Sequence, residues 1–519
     1  MLGLAALVLL GAVRSGWMCD DAFITLRTVD NFVHGFGLTW NVDERVQAYS
    51  HPLWMFLLSA LYAVTREPFY TTLAASLGLT ACFLVLFLRW HAGRVLPAAL
   101  ALGALAVSKS FADYSTSGLE NPLTHLLLCV ALWLHLEGPA TPRRIWILSL
   151  VTALGALNRI DALLLFLPLL AASSGRVARD SGARRIWGPL LLGALPLVAW
   201  ELFSLFYYGS LVPNTALAKL GTGIPLGENL ARGLTYTRIS ALVDPVPLVM
   251  VLAALIGAVR QRRRDLAPAI VGIGLHLLYV LRIGGDFMVG RHFAAPLVVA
   301  AILLARLRVT RASALSLGTL WVLCALLPYS PVRTGSVYVG PRQLLWFPLH
   351  SPLSEGVADE RAFYHRYLGL WNVGERERSV AAPWAEGGRT VRRGIEEQGL
   401  THLVKERGTI GLYGYFAGPK ALIIDWFGLA DPLLARLPVE DPKSCRIGHF
   451  RRTIPPGYRG TRSSGRIVLE DPDLAAFYAQ LRVVITGELW SLARLRAIWA
   501  LNTGGFEPRL AAYAARAGG

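Results

Sequence analysis

Eleven apolar runs occupy most of the first 330 residues of this 519-residue chain, and they limit what the chain can fold into. They lie at residues 2–18, 70–89, 97–107, 119–136, 145–157, 160–172, 187–207, 243–259, 267–282, 293–307 and 312–328. A helix that crosses a bilayer needs about 20 mostly apolar residues, so the runs predict membrane-spanning helices, several of them short. The composition agrees, since 54% of the residues are hydrophobic and only 16% are charged. We therefore predict an α-helical polytopic membrane protein with about 11 transmembrane helices.

Arginine is distributed unevenly over the loops between these runs. The five loops on one side carry 15 arginines against three acidic residues, Glu137, Asp180 and Asp265. Because Lys and Arg are enriched in cytoplasmic loops, these loops are predicted to face the cytoplasm. This requires that the apolar segment 52–65 does not cross the membrane, and we interpret it as a helix in the outer interface. The loops also explain the net charge of +17 without nucleic acid as a partner.

The same topology divides the chain into two predicted domains. After Pro328 the apolar runs stop, and Gly, Pro and charged residues become frequent. We predict a transmembrane domain over residues 1–330, with an outer loop at 19–69, and an extracytoplasmic soluble domain over residues 331–519. Alternating stretches at 409–416 and 421–425 predict strands amid helices in the second domain, and hence an α/β fold.

Two adjacent carboxylates, Asp20 and Asp21, stand directly beyond the first apolar run. The apolar and polar residues that follow gather on opposite arcs of a helical wheel, which predicts an amphipathic interfacial helix. Asp is a favoured residue at a helix N-cap, so one carboxylate is interpreted as a cap and the other is left for chemistry. A lipid–water boundary raises the pKa of a carboxylate toward that of a general base. Cap and base stay open for both residues.

Four separated motifs extend this pattern along the chain. The first outer loop contains Asp20-Asp21-Ala22-Phe23-Ile24, Gly35-Phe36-Gly37-Leu38-Thr39-Trp40-Asn41 and Glu44-Arg45-Val46-Gln47-Ala48-Tyr49-Ser50, and further motifs follow at 207–219, 284–292 and 427–432. The set resembles the GT-C superfamily of membrane glycosyltransferases, and most closely the mycobacterial terminal β-(1→2)-arabinofuranosyltransferase group. The resemblance implies a bacterial cytoplasmic membrane protein that transfers a sugar from a polyprenyl-phosphate to a cell-envelope glycan on the extracytoplasmic face.

The resemblance also implies catalytic residues. A base early in the first outer loop matches Asp20 best and Asp21 next. The leaving lipid phosphate requires cations or hydrogen-bond donors, for which the predicted outer segments offer Arg291, His292 and Lys219. For Arg291 and His292, the alternative is snorkelling to the membrane surface at a helix end.

Four more residues are candidates for substrate binding: Asn214, Asp286, Arg159 and Glu120. Asp286 has three open roles, which are ordering its loop, accepting a sugar hydroxyl or helping to bind a metal. The alternative for Arg159 is a structural pair with Asp161, and for Glu120 it is helix capping. No spacing of His, Cys and Asp forms a metal motif, so no metal ligand is assigned and no cofactor is required, although a divalent metal stays open.

The expected partners are therefore a polyprenyl-phospho-sugar such as decaprenyl-phosphoarabinose, a cell-wall glycan or glycolipid acceptor, and the lipid bilayer. No motif in the sequence reads the sugar, so rhamnose and mannose stay open as alternatives to arabinofuranose. A transporter or flippase for lipid-linked glycans is a rival class, which favours charged or broken helices at the bilayer midplane and internal repeats. A catalytically inactive assembly scaffold is a third interpretation.

Overall fold

The computed structural model describes residues 1–334, 356–373, 380, 382–442 and 446–517. The chain divides into two compact units. Unit 1 comprises Met1–Cys19, Phe69–Leu197 and Pro225–Ser379, and unit 2 comprises Asp20–Pro68, Val198–Ile224 and Val380–Gly519. The predicted boundary at residue 330 is not one of the breaks between these units, and as a boundary between a membrane domain and a soluble domain it stays a prediction.

The described part of the chain is largely helical. The helices of its first half are α1 (Leu2–Arg14), α2 (Asp20–Val33), α3 (Pro52–Thr65), α4 (Pro68–Trp90), α5 (Val95–Val107), α6 (Lys109–Tyr114), α7 (Asn121–Leu136), α8 (Pro142–Asn158), α9 (Leu163–Ser181), α10 (Arg184–Tyr207), α11 (Asn214–Lys219), α12 (Leu226–Val243) and α13 (Val246–Arg260). Those of the second half are α14 (Ala267–Arg282), α15 (Arg291–Arg306), α16 (Arg311–Ala325), α17 (Pro331–Thr334), α18 (Glu360–Leu368), α19 (Leu370–Val373), α20 (Pro383–Glu397), α21 (Gly411–Ala417), α22 (Tyr458–Ser464), α23 (Pro472–Thr486), α24 (Leu492–Asn502) and α25 (Glu507–Ala517). Short 3₁₀ turns cover Ile160–Ala162, Arg264–Leu266 and Leu434–Arg436. The strands are β1 (Leu403–Arg407) and β2 (Ala421–Asp425).

Each of the eleven predicted apolar runs folds as a helix. By length and composition four segments are able to cross a membrane, namely Pro68–Trp90, Ile160–Ser181, Arg184–Tyr207 and Arg264–Arg282. A fifth span results if α12 and α13, which are bent by 97° at their junction, count as one. Five further apolar helices, α1, α3, α5, α7 and α16, have only 10–17 residues. A helical membrane protein is thus confirmed, and the number of about 11 crossings stays a prediction.

Helix α15 forms the centre of unit 1. Every residue from His292 to Ala305 is buried, and the helix packs against α5, α7 and α13. Alanines at 294, 295, 300, 301 and 305 let these neighbours approach closely, as small residues do between membrane helices. This packing holds the first turn of α15, with Arg291 and His292, inside the unit.

Unit 2 contains a two-stranded parallel sheet in which Leu403 pairs with Ala421 and Arg407 with Asp425. The strand predicted at 421–425 is confirmed, but the one predicted at 409–416 is wrong, because Gly411–Ala417 forms helix α21. The apolar residues of this segment do not mark one face of a strand. They lie on both sides of a short helix, because α21 packs against α2 and α20.

The predicted helix after the first run is confirmed as α2, and its polar arc is divided: His34 at its end is exposed, but other members of the arc are buried. Arg27 and Asn31, which lie on that arc, are buried inside unit 2. Arg27 donates from Nε to the Trp40 carbonyl, from Nη1 to the Gly414 carbonyl and from Nη2 to the Ala421 carbonyl, at 2.8, 2.7 and 2.7 Å. These contacts tie α2 to α21 and β2, so the buried part of the polar arc serves internal hydrogen bonding.

Candidate functional site

Seven charged or histidine side chains gather in unit 1 around the first turn of α15. They come from the residue before α7, the turn before α9, the middle of α14, and the loop before α15 with its first turn. We call this set the unit 1 cluster: Glu120, Arg159, Asp161, His276, Asp286, Arg291 and His292. All seven are buried or partly buried. Placing so many polar groups in an apolar bundle is unfavourable unless they are paired or used.

Two arginines converge on one carboxylate in this cluster. Arg159 Nη1 and Arg291 Nη2 donate to the same oxygen, Glu120 Oε1, at 2.7 and 3.1 Å. Nε of Arg159 also donates to both carboxylate oxygens of Asp161, at 2.8 and 3.0 Å. Arg291 Nη1 lies 3.7 Å from Asp286 Oδ2. The structural pairing of Arg159 with Asp161 is thus observed, and Arg159 reaches Glu120 in addition.

The two histidines complete the cluster. His292 Nδ1 lies 3.3 Å from Arg159 Nη2 and 3.6 Å from Asp161 Oδ2, and its Nε2 lies 3.8 Å from Asp286 Oδ2. His276 lies beside them on α14, with its Nε2 at 3.1 Å from the carbonyl oxygen of His292. Asp161, His276 and His292 each offer a ligand atom within 4.8 Å of the others, so these three are the residues of the cluster able to hold a metal ion.

The cluster brings together five residues that the sequence singled out from three separate segments, Glu120, Arg159, Asp286, Arg291 and His292. His276 was missed. Its signal was present, because it is a histidine in the middle of the apolar run 267–282, and ionisable residues inside membrane helices are seldom there for packing alone.

Asp20 has a different environment, inside unit 2. Its Oδ2 accepts the Gly411 N–H at 3.0 Å and its Oδ1 accepts the Leu412 N–H at 2.8 Å, which are the first two amides of α21. Asp20 therefore caps α21, a helix almost 400 residues away in sequence. Burial is the largest influence on this carboxyl and raises its pKa to about 7, while the two amide hydrogen bonds oppose that rise.

Glycine is required where α21 meets Asp20. A Cβ atom on Gly411 would lie 1.9 Å from the backbone oxygen of Asp20, far inside any permitted contact. The close approach is what lets the Gly411 and Leu412 amides reach the carboxylate. The environment of the Asp20 carboxyl group, which accepts two peptide amides, is thus produced by the tertiary structure of unit 2.

The other predicted residues of unit 2 lie in different surroundings. Asp21 is partly buried at the start of α2. Asn214 Nδ2 donates to the carbonyls of Gly428, Leu429 and Asp431, at 2.8, 3.2 and 3.1 Å, and so holds the 428–431 loop. Lys219 is exposed at the end of α11. Of the three residues predicted for the donor phosphate, Lys219 belongs to unit 2, whereas Arg291 and His292 belong to unit 1.

The fold and the unit 1 cluster define a class, which is a multi-helix membrane protein that keeps charged and histidine side chains inside its bundle. Sequence comparison is more specific. A relative from Mycobacterium tuberculosis is 28% identical over 543 aligned positions, covering 86% of this chain and 82% of the relative. One from Corynebacterium glutamicum is 31% identical over 331 positions, covering 54% of this chain and 46% of the relative. Both are named terminal β-(1→2)-arabinofuranosyltransferase.

The chain is therefore a homologue of the terminal β-(1→2)-arabinofuranosyltransferases, and the resemblance drawn from its motifs is confirmed. No family model matches the chain. No solved structure matches it either.

Proposed function

We propose that this protein is a GT-C-type glycosyltransferase that moves arabinofuranose from a polyprenyl-phosphate donor to a cell-envelope arabinan at the outer face of the bacterial cytoplasmic membrane. The observation that carries the proposal is the similarity to relatives named terminal β-(1→2)-arabinofuranosyltransferase. The Asp20 carboxyl group, buried in unit 2 beside the first amides of α21 and with a pKa raised to about 7, supports the choice of base. The homology to arabinofuranosyltransferases supports the choice of sugar.

In the proposed reaction the carboxylate accepts the proton of the acceptor hydroxyl as the hydroxyl oxygen attacks the anomeric carbon. The bond from that carbon to the phosphate oxygen breaks, and the lipid phosphate leaves with the electron pair. A general base works best when its pKa is near the working pH, and such help is typically worth about 10²- to 10⁴-fold. Asp20 meets the pKa condition. Asp21, its partly buried neighbour, is the alternative base, in which case Asp20 acts as the structural cap of α21.

The unit 1 cluster supports the donor side of the proposal. Guanidinium groups bind phosphate oxygens with parallel N–H donors, and Arg159 and Arg291 are held in fixed orientations by Glu120. His292, in the first turn of α15, adds a ring nitrogen. We assign these three side chains to the leaving phosphate, with Asp286 and Glu120 as residues that orient them.

The experiment is transfer from synthetic polyprenyl-phosphoarabinofuranose to an arabinan fragment by the reconstituted full chain. Asp20→Asn and Asp21→Asn are compared with wild type, together with Asp425→Asn as a matched control. Asp425 is a second fully buried carboxyl of unit 2 that accepts two backbone amides and has its pKa raised to about 7 by burial. We expect Asp20→Asn to lower kcat by about 10²- to 10⁴-fold, and Asp425→Asn to leave it within a few-fold of wild type once folded protein is counted.

The alternative outcomes are distinct. Loss of transfer in Asp21→Asn alone makes Asp21 the base and leaves Asp20 as a cap. Equal losses in Asp20→Asn and Asp425→Asn, each with lowered thermal stability, reduce Asp20 to a structural residue. Absence of transfer from arabinose, mannose and rhamnose donors, with lipid-linked glycan instead moved across liposomes, overturns the transferase and favours the flippase.

A further inference from the structure

The unit 1 cluster contains three potential metal ligands from three different elements. Asp161 lies in the turn before α9, His276 in α14 and His292 in the first turn of α15, and one ligand atom of each lies within 4.8 Å of the other two. Both histidines are buried, at 2% and 6% exposure. Two imidazoles and a carboxylate make a ligand set typical of divalent transition metals, and of Zn²⁺ in particular.

His276 has the hydrogen bonding of a metal ligand. Its Nε2 lies 3.1 Å from the carbonyl oxygen of His292, which is the distance of an N–H donor to that carbonyl. This assignment leaves the lone pair on Nδ1, and among the described residues that buried atom has no hydrogen-bond partner. Metal-bound histidines commonly donate their second ring N–H to a backbone carbonyl or carboxylate, which fixes the tautomer and the ring orientation.

Asp161 is oriented in the same way. Nε of Arg159 donates to both of its oxygens, at 2.8 and 3.0 Å, and holds the carboxylate in place. His292 Nδ1 lies 3.3 Å from Arg159 Nη2 and 3.6 Å from Asp161 Oδ2, and its Nε2 lies 3.8 Å from Asp286 Oδ2. Asp286 is therefore close enough to supply a further oxygen after a small side-chain movement.

Charged side chains surround the three ligands. Three carboxylates, from Glu120, Asp161 and Asp286, lie with two guanidinium groups, from Arg159 and Arg291, in the described part of the cluster. A divalent cation bound among them would add a large local positive charge, which favours the phosphodiester of a lipid-linked sugar.

We infer that Asp161, His276 and His292 form a binding site for one divalent transition-metal ion, with Zn²⁺ as the ion that suits the ligands best. The role of the ion as a partner of the donor phosphate rests on the proposed function, whereas the binding of the ion does not.

The test measures metal binding by the full chain purified in detergent, without any sugar donor. The protein is stripped with a chelator, equilibrated with Zn²⁺, separated from free ion and analysed for zinc. His276→Gln is compared with His125→Gln, a buried histidine of α7 that stacks on Phe111 outside the cluster. We expect about one zinc per chain in wild type and in His125→Gln, and at least tenfold weaker binding in His276→Gln.

Co²⁺ titration of the wild type provides a measurement that does not depend on a variant. Visible d–d absorption typical of low-coordinate Co²⁺ with nitrogen ligands supports the site. Failure of the wild type to hold zinc and to give this absorption overturns it, and so does equal binding by His276→Gln and His125→Gln. Zinc binding without any sugar transfer supports the metal site and overturns the proposed function. Sugar transfer by the chelator-treated protein, without bound ion, supports the proposed function and overturns the metal site.

A second inference rests on an apolar face at the C-terminal end of unit 2. The side chains of Trp490, Leu492, Leu495 and Trp499 are 77%, 69%, 39% and 73% exposed. The last three follow the spacing i, i+3 and i+7, so they lie on one face of α24. Exposed tryptophans grouped with leucines in this way are unfavourable in water and mark an interaction surface.

This face is continuous with the apolar surface of a candidate membrane span. Val198 and Leu202 of α10 are 49% and 63% exposed, and Phe206 follows one further turn along the same stripe. The ring of Phe206 lies 4.6 Å from that of Trp490, between centroids. The stripe on α10 thus leads directly to the exposed residues before and on α24.

Polar contacts fix α24 at the end of α10. Arg494, which is fully buried, donates from Nη1 to the Phe206 carbonyl at 2.7 Å and from Nη2 to the Tyr207 carbonyl at 2.8 Å. These carbonyls are the unpaired ones that a helix leaves at its C-terminus, where a cation is favoured. Asn502 adds a hydrogen bond to the Gly209 carbonyl at 2.8 Å. The apolar face of α24 is therefore held at the end of α10, where the bilayer surface lies if α10 spans the membrane.

We propose that α24 lies in the membrane interface, with Trp490, Leu492, Leu495 and Trp499 inserted at the level of the lipid headgroups and upper acyl chains. Tryptophan is enriched at this depth because its ring is apolar and its N–H is polar. Amphipathic helices bind there by burying an apolar face. The occupant of the face is thus lipid, and protein partners are outcomes that the test can detect.

The test uses spin labels on the full chain in lipid nanodiscs, with the five native cysteines replaced. Labels are placed by Leu495→Cys and Trp499→Cys, with Gln398→Cys, at an exposed polar position after α20, as the matched control. Oxygen partitions into lipid and a neutral nickel chelate into water. We expect oxygen collisions to dominate at 495 and 499 and nickel collisions at 398. Nickel dominance at 495 and 499 overturns the proposal, and so does exclusion of both reagents, which indicates a protein partner or a second copy of this chain.

Discussion

Replacing Arg27 by Met tests whether one buried guanidinium group holds three segments of unit 2 together. Arg27 donates hydrogen bonds to the carbonyls of Trp40, Gly414 and Ala421, and Met has a similar length without the donors. A buried acceptor left unpaired costs about 1–3 kcal/mol. The Trp40 carbonyl keeps its hydrogen bond from Asn31 Nδ2, so the other two carbonyls would together cost about 2–6 kcal/mol. Burial lowers the pKa of Arg27 to about 9, which shows that the guanidinium group is itself held at an energetic cost that Met removes. We therefore expect a net destabilisation of about 3 kcal/mol.

Hydrogen exchange measured by mass spectrometry reports the loss of stability peptide by peptide. This suits a chain of two units that need not unfold together. A loss of about 3 kcal/mol corresponds to exchange about 100-fold faster for peptides that cover α21 and β2. Arg451→Met is the control, because Arg451 lies over the Trp426 ring at 5.1 Å but is 60% exposed. We expect it to change exchange in the same peptides less than about threefold, as exposed charges contribute little. Equal exchange in Arg27→Met and wild type would refute the assignment of Arg27 as the tie between these segments.

Four further outcomes are expected. Since the base must be deprotonated and burial raises the pKa of Asp20 to about 7, kcat/KM should fall about tenfold per pH unit below pH 7, which a pH–rate profile checks. The Asp20 carboxyl group has a pKa of about 7 in the folded state and its ordinary value of 3.8 in the unfolded chain, so the folded state binds this proton more tightly. Its contribution to the free energy of unfolding therefore falls as pH rises from about 4 to 7. The pH dependence of the unfolding temperature over this range should be weaker in Asp20→Asn. Gly411→Ala places a Cβ 1.9 Å from the Asp20 oxygen and should destabilise by at least about 2 kcal/mol, whereas Gly394→Ala, on α20 with open space, should stabilise slightly in the same unfolding assay. Asn214→Ala removes three hydrogen bonds to the 428–431 loop and should open that loop to limited proteolysis while α24 keeps its protection.

Hydrophobic pattern located the helices of the eleven apolar runs, because apolar runs bounded by charged loops leave the backbone little alternative in a membrane. It did not predict the short helices α6 and α11, or α12, whose sequence is too polar to stand out as an apolar run. The pattern was ambiguous where a segment is buried on all sides. Residues 409–416 alternate like a strand, yet Gly411–Ala417 forms a helix whose first amides bind Asp20. That carboxylate lies far away in sequence, so no local rule predicts the cap. The grouping of 20–68 and 198–224 with the C-terminal residues is likewise a result of tertiary packing.

The candidate site shows the same division between local and distant information. Glu120, Arg159, Asp286 and Arg291 were recognisable one by one, as charges at the ends of apolar runs. Their convergence on shared atoms, with two guanidinium groups on Glu120 Oε1, depends on the packing of α7, the turn before α9 and α15. His276 was recognisable in principle, as a histidine inside an apolar run. Its partners, however, lie on other elements, so its sequence neighbours do not reveal what it binds.

The energetics of the unit 1 cluster favour the proposal that it is kept for ligand binding and not for stability. Well-packed apolar side chains usually stabilise a fold as much as a buried ion pair does, or more, because they avoid the desolvation of charges. This chain has abundant apolar residues with which to fill such a space, as the continuous burial of α15 from Phe293 to Ala305 shows. Yet it keeps three carboxylates, two guanidinium groups and two imidazoles together. Replacing His276 should therefore affect metal content more than it affects the unfolding temperature.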